Sequence, residues 1–175
     1  MIHRKTFIPF GEMADFSIDY IVGILEDARA TTLQKVHNIS TEELHWQYAK
    51  GWNSISVLLS HAIACEHYFR IEFIEGRRLT EKEWEWLKPG MEMGEFIPQL
   101  LTNQPIEHYI EELEKSRKLT LDALAKLNTA DFHRKIDSYD EETGCNLAWV
   151  IYHQAEDEVH HRGQMSILRK LYKEI

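Results

Sequence analysis

The segment from Cys145 to Ile175 limits the possible folds most, because it combines a continuous amphipathic pattern with a cluster of ionisable side chains. Apolar residues recur there at steps of three and four, which predicts one long helix with a buried stripe. Asp157 and His161 are four residues apart and His153 lies one turn earlier, so all three project from one side of this helix. The predicted stripe consists of Leu147, Val150, Ile151, Ala155, Met165, Leu168 and Tyr172. Asp157 and His161 fall at its edge, so any chemistry is expected on this helix.

Three earlier segments show the same periodicity and are predicted to be long helices. The first covers residues 12–38, the second runs from a cap at Asn53 or Ser54 to about Ile74, and the third begins with Pro105 in its first turn. The inward positions of the first helix are Met13, Phe16, Tyr20, Ile24, Ala28 and Thr31. Four long amphipathic helices predict an all-α bundle.

The connections between these helices are also informative. Capping-box patterns begin at Ser40 and Thr80, and each predicts a short helix within a connection. The stretch that follows Gly76 is long enough to return along the second helix, so the second and third long helices can run parallel. Residues 128–146 are polar and turn-rich, and no alternating strand pattern is evident anywhere in the sequence. We therefore expect a single helical domain that covers residues 1–175.

Composition excludes several classes of function. The chain has 175 residues, a net charge of -9 and a pI near 5.6, which argues against nucleic acid or an anionic membrane as its main partner. The amino-terminal residues lack the apolar core of a signal peptide, and the apolar run from Ile55 to Cys65 is too short to span a bilayer. Two cysteines form no disulfide framework and no paired-cysteine metal motif. The expectation is a soluble cytoplasmic protein.

Two inward polar side chains on the other helices need an explanation. His61 lies within the apolar arc of the second helix, and Arg117 occupies an inward position of the third. For Arg117 we favour a long side chain that reaches solvent or pairs with a carboxylate over a contact with a substrate anion. His61 is the natural partner for the pair on the last helix, because metal sites in bundles are built from inward side chains on facing helices.

The sequence therefore predicts that His61, Asp157 and His161 hold Zn²⁺ or another divalent first-row metal. The alternative is a surface pair of Asp157 and His161 beside a packed histidine. Cys65 follows His61 by one turn and is either a thiolate ligand or, as we prefer, a buried inert thiol. Glu158 and His161 have the spacing used in di-iron bundles, but a second such pair on a long helix is missing from the sequence.

Two motifs resemble those of the DinB-like superfamily of four-helix bundles. They are Trp52-Asn-Ser-Ile-Ser-Val-Leu-Leu-Ser-His61 and the later His153-x-x-Glu-Asp157-Glu-Val-His-His161-Arg-Gly-Gln164. The resemblance implies an up-down-down-up bundle, a long crossover between its second and third helices, and usually a homodimer. It also implies a divalent metal bound at the positions of His61, Asp157 and His161. Asp157 departs from the commoner pattern, which has histidine there, and its charge weakens the Lewis acidity of a bound ion.

Members of that superfamily with known activity are similar to thiol S-transferases. The resemblance therefore implies that Zn²⁺, Ni²⁺ or Mn²⁺ holds a low-molecular-weight thiol, such as bacillithiol or mycothiol, for attack on an electrophilic small molecule. Arg162 and Gln164 would orient ligands or an anionic arm of the thiol cofactor. Two rival functions stay open: a non-catalytic, dimeric, stress-associated protein that binds a metal or small ligand, and a metal-dependent hydrolase with Glu158 as its base.

Overall fold

A computed structural model describes residues 16–136 and 145–174, and this part of the chain is mostly helical. The helices are α1 (Phe16–Val36), α2 (Thr41–His45), α3 (Ile55–Phe69), α4 (Glu81–Glu92), α5 (Ile97–Leu100), α6 (Ile106–Leu124) and α7 (Leu147–Tyr172). A π-helical turn, Arg70–Ile74, continues α3, and 3₁₀ turns cover Gly94–Phe96 and Thr129–His133. Two short strands, β1 (Lys135–Ile136) and β2 (Cys145–Asn146), pair antiparallel. No helix in the described part is long and apolar enough to cross a membrane.

The four long helices predicted from periodicity are α1, α3, α6 and α7. Ser54, not Asn53, caps α3, because its hydroxyl oxygen accepts the backbone N–H of Val57. The short helices α2 and α4 begin at the predicted caps, Ser40 and Thr80. The predicted start of the first helix at residues 12–15 and the polar stretch 137–144 lie outside the described residues.

Three details of the sequence prediction are wrong. Cys145 was expected inside the last helix, but it lies in β2, opposite Ile136, and α7 begins only after the Asn146 cap. The expectation of no strands fails at the same place, because strands of two residues are too short to show an alternating pattern. Tyr20, expected to point inward from the first helix, is 42% exposed.

The core consists of two apolar clusters at different levels along the long helices. One contains Leu25 of α1, Phe69 of α3, Leu124 of α6 and Ile151 of α7. The other contains Val36, Leu58, Leu113 and Met165, from the same four helices in the same order. Contacts run from α1 to α7, from α7 to α3, from α3 to α6 and from α6 back to α1, so the four helices enclose a common interior.

A layer of buried charges lies between the two apolar clusters. Glu66 of α3 accepts from Arg117 and Arg29 at 2.6 Å each, and Glu158 of α7 accepts from Arg29 at 2.9 Å and Arg117 at 3.4 Å. Burial alone raises the pKa of Glu66, but the two guanidinium groups outweigh it and lower that pKa to about 2. The prediction that Arg117 pairs with a carboxylate is confirmed. Two positive and two negative side chains balance, so the layer links the four long helices through buried ion pairs without a net charge.

Candidate metal centre

Asp157 of α7 lies between two imidazole rings, one from α3 and one from α7. His61 Nε2 lies 3.4 Å from Asp157 Oδ2, and His161 Nε2 lies 3.3 Å from Asp157 Oδ1. The two rings are 4.8 Å apart between centroids and nearly perpendicular. Both histidines are buried, while the Asp157 side chain is 24% exposed, so the cluster reaches solvent through the carboxylate. The structure therefore brings together the three side chains that the sequence singled out.

The orientation of His61 is set by α4. His61 Nδ1 donates to the carbonyl oxygen of Gly90 at 2.8 Å, which leaves Nε2 directed at Asp157. The Gly90 carbonyl is available for this bond because it lies in the last turn of α4, where backbone carbonyls lack the donor that a further helical turn would supply. A Cβ atom at Gly90 would lie 2.6 Å from Ala64 Cβ and 2.9 Å from the carbonyl oxygen of Ser60. Glycine is therefore required for α4 to approach α3 closely enough to orient His61.

Replacing Gly90 with alanine tests this positioning role. We expect the added methyl group to push α4 away from α3 and to lower the free energy of unfolding by about 1–3 kcal/mol, as is typical of overpacking. Chemical denaturation measures this change, and the NMR signal of the His61 Nδ1 proton reports whether the bond to Gly90 survives. Gly163 is the matched control, because a Cβ atom there meets nothing within 4 Å. Equal stability of the Gly90→Ala and Gly163→Ala proteins would contradict the close-approach argument.

The orientation of His161 is set within its own helix. His161 Nδ1 donates to Gln164 Oε1 at 3.1 Å, and Gln164 Nε2 donates in turn to Nε2 of the exposed His160 at 3.0 Å. Both site histidines thus donate Nδ1–H to an amide oxygen and direct Nε2 at one carboxylate. This arrangement is the one that orients histidine ligands in metal sites, where the distal nitrogen is anchored by an acceptor.

Ionisation at the site follows from the contacts with Asp157. Burial alone raises the pKa of Asp157, but hydrogen bonds from His161 and His61 outweigh it and hold that pKa well below its usual range. Burial lowers the pKa of His61, yet the Asp157 carboxylate and the Gly90 carbonyl together raise it above its ordinary value. Asp157 is therefore a carboxylate at neutral pH, which is the form that binds a cation.

Cys65 belongs to the same cluster. Its Sγ atom lies 3.3 Å from His61 Nε2, and the ligand atoms of His61, Cys65 and Asp157 all lie within 4.8 Å of one another. Burial, together with the charge of Asp157, raises the pKa of the Cys65 thiol. These three residues form a possible site for a divalent metal. The spacing of one turn from His61 had indicated this proximity, although an inert thiol was the preferred interpretation.

The remaining candidate residues lie in different surroundings. Arg162 donates to Thr31 Oγ1 of α1, so its guanidinium faces the neighbouring helix. Glu158 is buried in the charged layer, where Arg29 and Arg117 occupy both of its oxygens. His153 of α7 is half-buried, stacks on Trp149 and packs edge-on against Phe69. Of the two predicted cofactor contacts, the structure brings Gln164 to the centre, whereas Arg162 contacts α1.

Gln154 is a buried polar residue that residue spacing alone did not single out. It lies on α7, one turn before Asp157 and two turns before His161, and is 5% exposed. Neither of its side-chain polar atoms has a hydrogen-bond partner within the described part of the chain. Buried amides are almost always paired, so an unpaired one beside a candidate site is notable. The sequence does contain an indication of this residue, because Gln154 is polar and occupies an inward position of the predicted last helix.

Replacing Gln154 with leucine is expected to stabilise the protein. Leucine has a similar volume and no polar atoms, so the change removes two unpaired groups from the interior and should raise the free energy of unfolding by about 1–3 kcal/mol. Chemical denaturation gives the difference. The control is Gln164→Leu, which removes the hydrogen bond to His161 and should not stabilise. A Gln154→Leu protein less stable than wild type would show that this amide has a partner in the folded state.

Comparison with known proteins gives one significant result. A family described as the DinB superfamily matches residues 24–165. The matched range includes both histidines, Cys65 and Asp157, together with all four long helices in whole or in large part. No curated protein sequence matches significantly. Because the family match spans most of the sequence and includes the candidate metal centre, this chain belongs to the DinB superfamily.

Proposed function

We propose that this protein binds one divalent metal ion through His61, Asp157 and His161 and uses it to transfer a low-molecular-weight thiol to an electrophilic small molecule. The observation that carries the proposal is the shared orientation of the two imidazoles. Each donates its Nδ1–H to an amide oxygen and directs Nε2 at the same carboxylate. Neutral imidazole and carboxylate are donors suited to Zn²⁺, Ni²⁺ and Mn²⁺.

Cys65 is the competing third donor. Histidine binds a metal in its neutral form, whereas a cysteine must lose its proton first, so we favour His161 as the third ligand and Cys65 as a neighbour. Replacing the metal with Co²⁺ distinguishes a ligand set that contains His161 from one that contains Cys65. Only a thiolate ligand adds an intense sulfur-to-cobalt absorption in the near ultraviolet. We expect no such band in the wild-type protein. A band that disappears in the Cys65→Ser protein would place the sulfur among the ligands.

The bound ion would supply positive charge that lowers the pKa of a thiol, so that the sulfur is nucleophilic near neutral pH. The side chains of this protein would hold that ion and reduce the net positive charge of the site. Asp157 contributes one negative charge, which leaves a divalent site less acidic than three imidazoles would. Its partial exposure gives a small molecule access from solvent. Gln164 fixes the His161 ring, and Arg162 would have to leave Thr31 to contact an anionic arm of a thiol cofactor.

The activity is tested with bacillithiol, a panel of electrophiles, and protein loaded separately with Zn²⁺, Ni²⁺ or Mn²⁺. We expect thiol consumption above the buffer rate in at least one loaded form, and loss of that excess in folded His61→Ala and His161→Ala proteins. His153→Ala serves as the control, because it removes from α7 an imidazole that is not one of the proposed ligands and stacks on Trp149. Undiminished turnover in the His61 and His161 variants would end the catalytic proposal.

A non-catalytic binding protein is the second candidate, and the charge of Asp157 is the observation that favours it. A carboxylate ligand preserves metal binding better than it preserves strong Lewis acidity. This function predicts bound metal without thiol consumption for any electrophile. The hydrolase alternative has less support, since Arg29 and Arg117 occupy both oxygens of the glutamate that would act as base.

We further propose an up-down-down-up four-helix bundle that forms a cytoplasmic homodimer. The order in which the helices pass the two apolar clusters supports the topology. In α1 and α7 the chain runs from the apolar cluster that contains Leu25 to the apolar cluster that contains Val36, whereas in α3 and α6 it runs the opposite way.

Support for a dimer comes from Trp149, Tyr152 and Val159, which share one exposed face of α7. Sedimentation of the purified chain tests the oligomeric state.

A further inference from the structure

We propose that a cleft beside the metal centre binds the apolar body of an uncharged small molecule. The cleft has a volume of about 560 Å³ and lies between α7, the segment that precedes α3, and the end of α4. Pockets for small ligands commonly enclose roughly 300–1,000 Å³, so a molecule of one or two rings fits this cleft. Calling that molecule the substrate rests on the proposed function, whereas binding in the cleft does not.

The walls of the cleft are predominantly apolar. Its apolar side chains are Trp52, Met93, Ile97, Ile167, Leu168 and Leu171. Trp52 and Ile167 are 54% and 59% exposed, and both are part of this one lining, where exposed apolar side chains can meet a ligand. An indole and several aliphatic side chains around one cavity favour a ligand with a flat apolar body. A ligand in the cleft would thus cover the exposed surfaces of Trp52 and Ile167.

The polar groups of the cleft determine which charge the ligand carries. Gln164 and Asn53 offer amide groups, and Glu92 is the one ionisable residue among the lining residues that the structure describes. None of the described lining residues is Lys, Arg or His, so an anion entering the cleft has no positive partner and faces one negative charge. An uncharged ligand avoids the free-energy cost of burying an unpaired negative charge. An anionic thiol cofactor is therefore expected to bind elsewhere, and the cleft is left for its reaction partner.

The cleft is connected to the metal centre through Gln164, one of the two groups that orient the histidines. Gln164 lines the cleft and accepts the Nδ1–H of His161. Gly90 accepts the Nδ1–H of His61, and the residues that follow it at the end of α4, from Glu92 to Gly94, form the opposite part of the lining. A ligand in the cleft would therefore contact Gln164, the support of His161, and the residues that follow Gly90 in the chain. This contact is the reason for assigning the cleft to the substrate of the same site.

Two fluorescent probes that differ by one charge test the proposal. N-phenylnaphthylamine is neutral, and anilinonaphthalene sulfonate has the same ring system with a sulfonate group. Titration of the metal-free wild-type protein should show one saturable site for the neutral probe and binding at least about ten-fold weaker for the anion, because the anion gains no paired charge on burial. Energy transfer from tryptophan should accompany binding and be clearly weaker in the Trp52→Phe protein, which keeps four other tryptophans. Equal affinity for the two probes would overturn the assignment.

A charge introduced into the lining gives the second part of the test. We expect Ile167→Lys to weaken the neutral probe and strengthen the anionic one, each by about ten-fold, because the ammonium group replaces apolar surface and pairs with the sulfonate. Leu119→Lys is the matched control, since Leu119 is 39% exposed on α6 and lies outside the cleft lining. Unchanged probe affinities in the Ile167→Lys protein would show that the probes bind at another place.

The result of the probe-binding experiment does not depend on whether the protein has the metal-dependent activity. Probe binding is measured without metal or thiol, so it can succeed while thiol transfer fails, and then the cleft is a binding site of a non-catalytic protein. If thiol transfer is found, the neutral probe should inhibit competitively against the electrophile in wild-type protein and at least about ten-fold less effectively in the Ile167→Lys protein. Inhibition that is not competitive with the electrophile would remove the substrate assignment and leave the metal centre untouched.

Discussion

The Arg117→Met protein is expected to lose about 3–5 kcal/mol of unfolding free energy, the usual effect of removing one partner from a buried ion pair. Arg117 donates to Glu66 at 2.6 Å and to Glu158 at 3.4 Å, and all three side chains are less than a tenth exposed. Its removal leaves two buried carboxylates with Arg29 as their only guanidinium partner in the described part of the layer. Urea denaturation followed by circular dichroism measures the loss.

A charge-balanced double variant is the control for that experiment. Arg117→Met combined with Glu66→Leu removes one positive and one negative charge and keeps the pair of Arg29 and Glu158, which are joined at 2.9 Å. We expect the double variant to recover most of the lost stability, because well-packed apolar side chains replace a buried ion pair at little net cost. A double variant as unstable as the single one would mean that Arg117 stabilises through packing and not through charge.

Zinc is expected to stabilise the wild-type protein strongly. At a free concentration of about a thousand times its dissociation constant, a ligand that binds only the folded state adds roughly 4 kcal/mol. For a chain of this size, that corresponds to a rise in Tm of roughly 8–16 °C. The His161→Ala protein should lose most of this shift, since it keeps only His61 and Asp157 of the proposed ligands. Differential scanning calorimetry with and without Zn²⁺ measures both values.

The matched control is His153→Ala, which removes from the same helix an imidazole that is outside the proposed ligand set. Its zinc-dependent shift should equal that of the wild type. If His161→Ala keeps the full shift and Cys65→Ser loses it, the compact group of His61, Cys65 and Asp157 is the ligand set instead. No shift in the wild-type protein would mean that the centre is a hydrogen-bonded cluster and not a metal site.

The sequence alone predicted the long helices and the meeting of the three site residues, because both depend on helical periodicity. Inward positions on a helix follow directly from residue spacing, which is why His61 and the pair at Asp157 and His161 could be expected in one interior. The Ser54 and Thr80 caps were predictable for the same local reason.

Other features depend on contacts between distant segments and could not be predicted in that way. The Gly90 carbonyl reaches His61 across 29 positions of sequence, and α4 had been interpreted only as part of a connection. The hairpin of β1 and β2 leaves no pattern in two-residue strands. Spacing predicted that Arg117 points inward, but not that it shares two carboxylates with Arg29. Such pairings are decided by tertiary packing, which periodicity does not encode.

A calorimetric titration of Zn²⁺ into metal-free protein tests the central claim most directly. We expect one ion per chain for the wild type and an affinity at least about a hundred-fold lower for Asp157→Ala, whose carboxylate lies between both imidazoles. Glu156→Ala, which removes an exposed carboxylate from the preceding position, should bind like the wild type. Equal affinities for the wild-type and Asp157→Ala proteins would contradict the account.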